Sequence, residues 1–487
     1  MDFLDPSKKR KNGIKLFVGY LLVGIAIGLA ALILIFLSYG YSLDRKTGSV
    51  IQNGIVFVAS KPADAEIFIN GEKYKDNTDS RLVLPSAQYK LEIRKNGYRT
   101  WQRDFFLSGG EIQRFIYPFL FPNTLTASDV DTFAAAPTFA SQSPDRRWLI
   151  VQSKPRDTIF SLYDLNQDAP VAQSLSLPKN LATAGTSEVK VVEWANDNKH
   201  VLLRLTHKKG TEFIVLDRET PAKSLNITSA TKKTADTVTL RDKKFDDWYM
   251  HVVGKRQLFV ASTDTPTPKL LIEGVIDYKS YGTDVVMYAT ESKATKGKAR
   301  IVIWDDGRAD VLREVAKSKK YLLDLTRFDN RWYFVAGAAS DGKIYVYRDP
   351  FEIIRAKTPA QLVPATIMRL DNPTNVSFSQ NTRFVAAQAG STFAVYDAEA
   401  ELAYRYDTSL EFVDDQKAVW MDGHRLSAVV GGKVVVFDYD GINMQSLTDA
   451  STGTLAYFTN NYETLYTVTP KANSTEANLK RSELVIN

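Results

Sequence analysis

The chain has 487 residues, no cysteine and four histidines, and its 62 Lys and Arg outnumber 56 Asp and Glu for a formal charge of +6. The first fifteen residues supply +3 of this, so the remainder is balanced at 57 basic against 54 acidic side chains, which excludes the phosphate-binding footprint of a nucleic-acid protein. The missing cysteines exclude disulfides, thiolate catalysis, zinc–cysteine sites and a lipidated N-terminal cysteine.

Residues 16–37, LFVGYLLVGIAIGLAALILIFL, carry no charge and are long enough for a bilayer core, which takes about 20 residues at helical rise. A cleaved leader has a shorter apolar region, although Ser38 and Gly40 offer a small-x-small site, so an uncleaved anchor is expected. Lys8, Lys9, Arg10, Lys11 and Lys15 precede the span against Asp2 and Asp5, whereas Asp44, Arg45 and Lys46 follow it. The positive-inside rule then places a short basic tail, 1–15, in the cytoplasm and everything beyond the span outside, with Tyr39 and Tyr41 at the outer interface. Gly24 and Gly28 form a GxxxG, and Ala26 and Ala30 a second small pair, either of which would seat a helix dimer.

After a linker, 38–54, the stretch 55–117 reads as a small β-sandwich of five to seven strands. GIVFVAS (54–60) and AEIFING (65–71) have strand composition, Asn70-Gly71 and Asn96-Gly97 are hairpin turn signals, and YKLEIRK alternates. Ser60, Pro62, Ala65, Ile67, Ile69 and Gly71, followed by YKLEIRKNGY with Gly97 and Tyr98, resemble the PEGA domain, a small β-module of exported bacterial and archaeal proteins. Two departures stand out: Pro62-Ala63-Asp64-Ala65 replaces Pro-Glu-Gly-Ala, and the later Gly-x-Thr-Pro is missing. The resemblance implies a fold and a membrane-proximal stalk; the family has no shared catalytic site to carry over.

A connector, 118–134, leads to 135–487, where apolar strands recur in pairs that end in Asp or Gly. Eight such units give a period near 44 residues, as in propeller blades, with seven blades or two packed sandwiches as alternatives. SPDRRWLIV and FDYDGINMQSLT resemble signatures of TolB-type and related propellers, in which the Ser-Pro-Asp turn links outer strands and the Asp-Gly turn closes the next hairpin. The fold class is therefore an all-β ectodomain, sandwich then propeller, on an N-terminal transmembrane helix.

Chemistry-bearing motifs are absent. His200, His207, His251 and His424 form no HExxH and no local pair, and GxSxG, GxxxxGK and GxGxxG are missing. Asp246-Asp247, Asp305-Asp306 and Asp414-Asp415 read as blade turns. Asp438, Asp440 and Asn443 look like a calcium loop but lack its twelfth-position glutamate. Trp304, Trp332 and Trp420 would stack on sugars or anchor peptides, though core packing accounts for most aromatics. Asn226, Asn375 and Asn473 fit the glycosylation pattern, and KSLNITSATKKTADT and ESKATKGKA read as polar, mobile contact loops at blade tips.

No catalytic, cofactor or metal residue is assigned, and no cofactor is expected. The expected function is a membrane-anchored, extracytoplasmic binding or scaffold protein whose noncatalytic propeller meets a protein or cell-envelope polysaccharide. A propeller-type glycan hydrolase or lyase, with acids converging at the channel mouth, is the alternative.

Overall fold

The computed structural model describes residues 6–38, 40–43, 50–154, 156–356, 362–413 and 416–486. Tyr39, Asp44, Arg45, Lys46, Asp414 and Asp415 lie outside these. The chain divides into two compact units, Met1–Thr124 and Leu125–Asn487.

In the first unit a single helix, Pro6–Ser38, runs through the basic cluster and the apolar span without a break. Its stretch Arg10–Ser38 is long and apolar enough to cross a membrane, as an anchor or signal sequence must be. Beyond it, two four-stranded sheets enclose one core. One sheet holds Val50–Val58 between Ser80–Pro85, antiparallel, and Ile112–Phe115, parallel, with Tyr41–Leu43 paired to its start. The other is ordered Glu72–Asn77, Glu66–Ile69, Ala87–Arg94, Trp101–Leu107. Strand alternation sends Val56, Val58, Leu82, Ile67, Leu91, Ile93 and Trp101 inward, each nearly inaccessible. Asn70 and Gly71 both take positive φ, 52° and 84°, and close a two-residue hairpin between the paired Ile69 and Glu72, as a type I′ turn requires. At the second turn only Gly97 is left-handed, so Asn96-Gly97 is a different turn, closed by the Tyr98 N–H on the Lys95 carbonyl. The expected linker also differs: residues 50–54 belong to the first sheet, because Gly54 and its neighbours complete the ladder with Leu84 and Pro85.

The second unit is a β-propeller of eight four-stranded sheets. Blades 1 to 7 span residues 139–176, 186–226, 237–273, 277–316, 321–369, 375–407 and 419–449. Blade 8 takes three strands from 457–483 and its fourth from Ala127–Phe133, so the two ends of the unit meet in one sheet. Phe133 and Leu479 are buried there with Leu149, Tyr163 and Tyr466, a core shared by blades 8 and 1. Ring closure removes the sheet edges that an open array would expose.

Several expectations are corrected. The connector 118–134 contains the strand Ala127–Phe133, whose side chains are mostly exposed because it is the outermost strand of its blade and packs little. Ser143-Pro144-Asp145 joins the first two strands of blade 1, on the inner side, rather than outer strands. KSLNITSATKKTADT is not a loose loop: it contains the helix Ile227–Thr231, capped by the Asn226 side chain on the Ser229 N–H at 2.9 Å, with Ile227 fully buried.

The Asp that ends so many third strands has a structural task. Asp164, Asp217, Asp397 and Asp438 are all buried. Asp164 takes two hydrogen bonds from Arg147, at 3.0 and 2.7 Å, and Asp217 accepts the N–H groups of Glu219 and Thr220 at 2.9 and 2.8 Å. Asp164, Asp217 and Asp397 thus cap the turns after their own strands through backbone N–H groups, Asn166 supplying that of Asp164, and Asp438 accepts the Asn443 side chain instead. In blades 1, 6 and 7 the carboxylate also holds an arginine of the preceding strand or turn.

Candidate binding channel

The first strands of neighbouring blades approach one another, as the inner strands of a propeller do. At their far ends the turns into the second strands interlock around the ring. The Asp145 N–H donates to Asn198 Oδ1 at 2.9 Å, the Asn196 N–H to the Lys243 carbonyl at 3.0 Å, and Arg241 Nε to the Thr283 carbonyl at 2.8 Å. Thr382 Oγ1 donates to the Arg327 carbonyl at 2.8 Å, and Gln142 Nε2 to the Phe458 carbonyl at 2.9 Å across the closing seam.

Around this mouth the two halves differ. On the side of blades 6, 7, 8 and 1, side chains reach across beside a cavity of about 290 Å³ that Gln380, Trp420 and Phe458 help line: Arg146 donates to the Met421 carbonyl, its guanidinium lies 4.7 Å from the Tyr462 ring, and Tyr462 OH meets Gln380 at 3.1 Å. On the side of blades 2 to 5 the inner strands leave a cavity of about 720 Å³, lined among others by Glu193, Asp242, Lys243, Tyr278, Lys279 and Asp324. The opposite ends of the inner strands of blades 4 to 6 frame a smaller cavity of about 210 Å³ with Asp277, Lys279, Lys320 and Lys417 on its wall. Lys279 borders both.

Three carboxylates line the larger cavity, and each has a partner. Glu193 pairs with Lys243 and accepts the Leu240 N–H at 2.6 Å. Asp324 accepts the N–H groups of Leu325 and Phe378 at 3.1 and 3.2 Å, with Lys279 Nζ at 3.8 Å. Asp242 faces Lys244 at 3.3 Å. Burial nevertheless raises Asp324 above the usual carboxylate range, outweighing Lys279 and the two N–H groups, and burial raises Asp277 likewise. Tyr278 OH bonds Thr239 Oγ1 at 2.8 Å, and Tyr281 packs edge-on against Trp332 with centroids 5.1 Å apart while staying 39% exposed. The wall therefore offers charges of both signs, backbone-held carboxylates and an accessible aromatic.

The residues singled out in the sequence are dispersed. His200 bonds Asp197 at 2.6 Å and stacks on Phe245, His207 lies 3.7 Å from Glu212, His251 Nε2 meets the Val275 carbonyl at 3.0 Å, and His424 sits beside Phe384 and Tyr439. Among the described residues no group of three or more His, Asp and Glu is arranged to hold a metal. Asp247 pairs with Arg241, Asp305 with Arg355, and Asp306 occupies a turn at φ 45°. Asp438 faces Arg425 at 3.6 Å and accepts from Asn443 Nδ2 at 2.8 Å, so this turn is held by protein groups. Trp332 stacks on Phe334 and Trp420 on Phe384, both half-buried, and Trp420 also lines the cavity of about 290 Å³ at the mouth. Asn226 is buried, whereas Asn473 is on an exposed turn. Glu193, Lys279 and Asp324 were not singled out; they stand in the inner strands TSEVKVVEW, DYKSY and YLLDLTRF, where other charged side chains accompany them and nothing local marks the one that faces the channel.

The structure defines a β-propeller preceded by a small two-sheet β-domain and an apolar helix. Residues 53–119 match the family model of the PEGA domain, so the small domain is a PEGA domain. No curated protein matches the chain. Among solved structures it is similar to the C-terminal WD40 domain of Sif2, at 10% identity over 75% of this chain and 99% of that one, with a TM-score of 0.47. It is also similar to the dihydro-heme d1 dehydrogenase NirN in complex with DHE, at 16% identity over 68% of each chain and a TM-score of 0.41. The tricorn protease is a third, at 10% identity over 76% of this chain and 41% of that one, with a TM-score of 0.40. The propeller assignment stands on the eight four-stranded sheets themselves.

Proposed function

We propose that the chain is a membrane-anchored, extracytoplasmic binding or scaffold protein whose propeller engages a protein or polysaccharide of the cell envelope. The observation that carries this reading is the asymmetric mouth: one side of the ring is bridged by Arg146 and Tyr462 beside a smaller cavity, while the other leaves a larger one whose charges are already paired. A wall of paired charges with an exposed tyrosine recognises a polar chain by exchange of hydrogen bonds and ion pairs. The PEGA domain, between helix and propeller in the chain, is the proposed stalk. Gly24 and Gly28, one turn apart with nothing against them, would seat a second copy of the helix.

The test is incubation of the purified full chain in nanodiscs with isolated cell wall, lipid-linked glycans and envelope extract, following retention and product release together. Stoichiometric retention without product supports the reading. Repeated release of product that disappears with Glu193→Gln or Asp324→Asn installs a glycan hydrolase or lyase instead.

A further inference from the structure

We propose that the outward face of the PEGA sheet built on Val50–Val58 is a lipid-contact surface that seats the domain on the anionic bilayer holding its own helix. This rests on the reading of that helix as an anchor.

The face follows from strand parity. Val56 and Val58 point into the core, so Ile55 and Phe57 point out. Register then builds two rows across three strands: Val83, Ile55 and Ile112, and beside them Arg81, Phe57 and Arg114. Val83 is 46% exposed and Ile112 53%. The Arg114 guanidinium lies 5.8 Å from the Phe57 ring, and neither Arg81 nor Arg114 is paired with a carboxylate among the described residues. Asp79 and Ile116 lie at the far end of the face, two residues beyond the arginines.

The helix fixes how far this face lies from the lipid. The Gly40 N–H donates to the Leu37 carbonyl at 3.1 Å, the Gly40 carbonyl accepts the Asn53 N–H at 2.8 Å, and Tyr41 stacks on Phe36 with centroids 4.9 Å apart. Ile55 is two residues past Asn53, ~7 Å along the strand, and Asn53 lies one strand spacing of ~4.8 Å from Gly40, itself two residues past the helix end, so Ile55 stands up to ~18 Å from Ser38, with Val83 and Ile112 one strand spacing to either side. The headgroup layer of one leaflet is about 5–8 Å thick. The apolar row therefore meets that layer when the strand lies along the bilayer surface, which is the arrangement proposed, and the arginine row follows ~7 Å farther along the same face. An apolar row flanked by unpaired cations matches an anionic lipid surface, where burial and attraction to headgroups act together.

The cysteine-free chain allows single-cysteine labelling without further change. Full-length Val83→Cys, Ile112→Cys and, as a control on the other sheet, Lys75→Cys are labelled with NBD and reconstituted into phosphatidylcholine vesicles with or without phosphatidylglycerol. Quenching by doxyl-lipids is expected to be at least about threefold stronger at 83 and 112 than at 75 when anionic lipid is present, and to fall when lipid is neutral or Arg81 and Arg114 are changed to Gln. Labels at 83 and 112 that stay wet, or are dry yet untouched by doxyl-lipid because protein covers them, overturn the proposal. Release of the chain by alkaline carbonate overturns the anchor and this proposal together; retained chain with wet labels overturns the proposal alone.

Discussion

The carboxylate of Asp397 receives Nε and Nη2 of Arg383, at 2.8 and 2.5 Å, and the oxygen that takes Nε also accepts the N–H groups of Glu399 and Ala400. Asp397 is 1% exposed, so these four donors are its entire solvation. Asp397→Ala leaves a guanidinium and two N–H groups without their acceptor and is expected to cost about 3 kcal/mol, the lower end for breaking a buried pair because Arg383 keeps some access to water. Chemical denaturation measures it, and Asp397→Asn, which keeps an acceptor, should cost less.

His424 gives the propeller a pH dependence of its own. Burial, opposed by Asp422, pushes its pKa down from the ordinary 6.5 to about 4. The unfolded chain thus binds the proton first, so stability held above pH 6.5 is lost as pH falls toward 4, by up to roughly 3 kcal/mol. Carboxylates held low by arginine or backbone N–H groups, Asp164 and Asp217 among them, lose their contribution only at lower pH, below their ordinary range. His424→Gln should flatten the slope between pH 6.5 and 4 and leave the acid limb; an unchanged slope would assign it elsewhere.

Blade 8 is the seam of the ring. Phe133→Ala empties a site 4% exposed and should cost about 3 kcal/mol. Deleting residues 125–134 should do worse, because the edge of Ala477–Glu483 is then free to pair with another chain. Size-exclusion chromatography is expected to show aggregation; a soluble monomer with an unchanged unfolding midpoint would speak for an open array.

Orientation is tested with an impermeant maleimide on intact cells. Ser187→Cys, exposed in blade 2, should label directly, and Ser7→Cys only after permeabilisation, as the lysines ahead of the span require. The reverse pattern would turn the protein around.

Legibility in the sequence followed packing. The strand pairs of blades 4 to 7 were readable because VVMYAT, YFVAGA, FVAAQ and RLSAVV are buried on both faces and run apolar. Asn70-Gly71 was readable because the turn needs two left-handed residues. Ala127–Phe133 was not: as an outermost strand it keeps polar side chains, and its pairing partner lies some 350 residues away in the chain, a separation no local pattern encodes. The channel wall stayed hidden for a related reason, since Glu193, Lys243, Lys279 and Asp324 come from four blades and only ring closure sets them on one surface.

Retention of an envelope partner by the full chain, compared between wild type and a Lys279→Ala, Tyr281→Ala double variant, tests the central claim most directly. Both side chains line the cavity. The account predicts that wild type holds its partner stoichiometrically with no product formed, and that the double variant loses at least about tenfold in affinity, the ~1.4 kcal/mol that one ion pair or aromatic contact carries at an interface, while the distant Lys75→Ala binds as before. Equal retention by all three proteins, or product formed in amounts exceeding the protein, would contradict it.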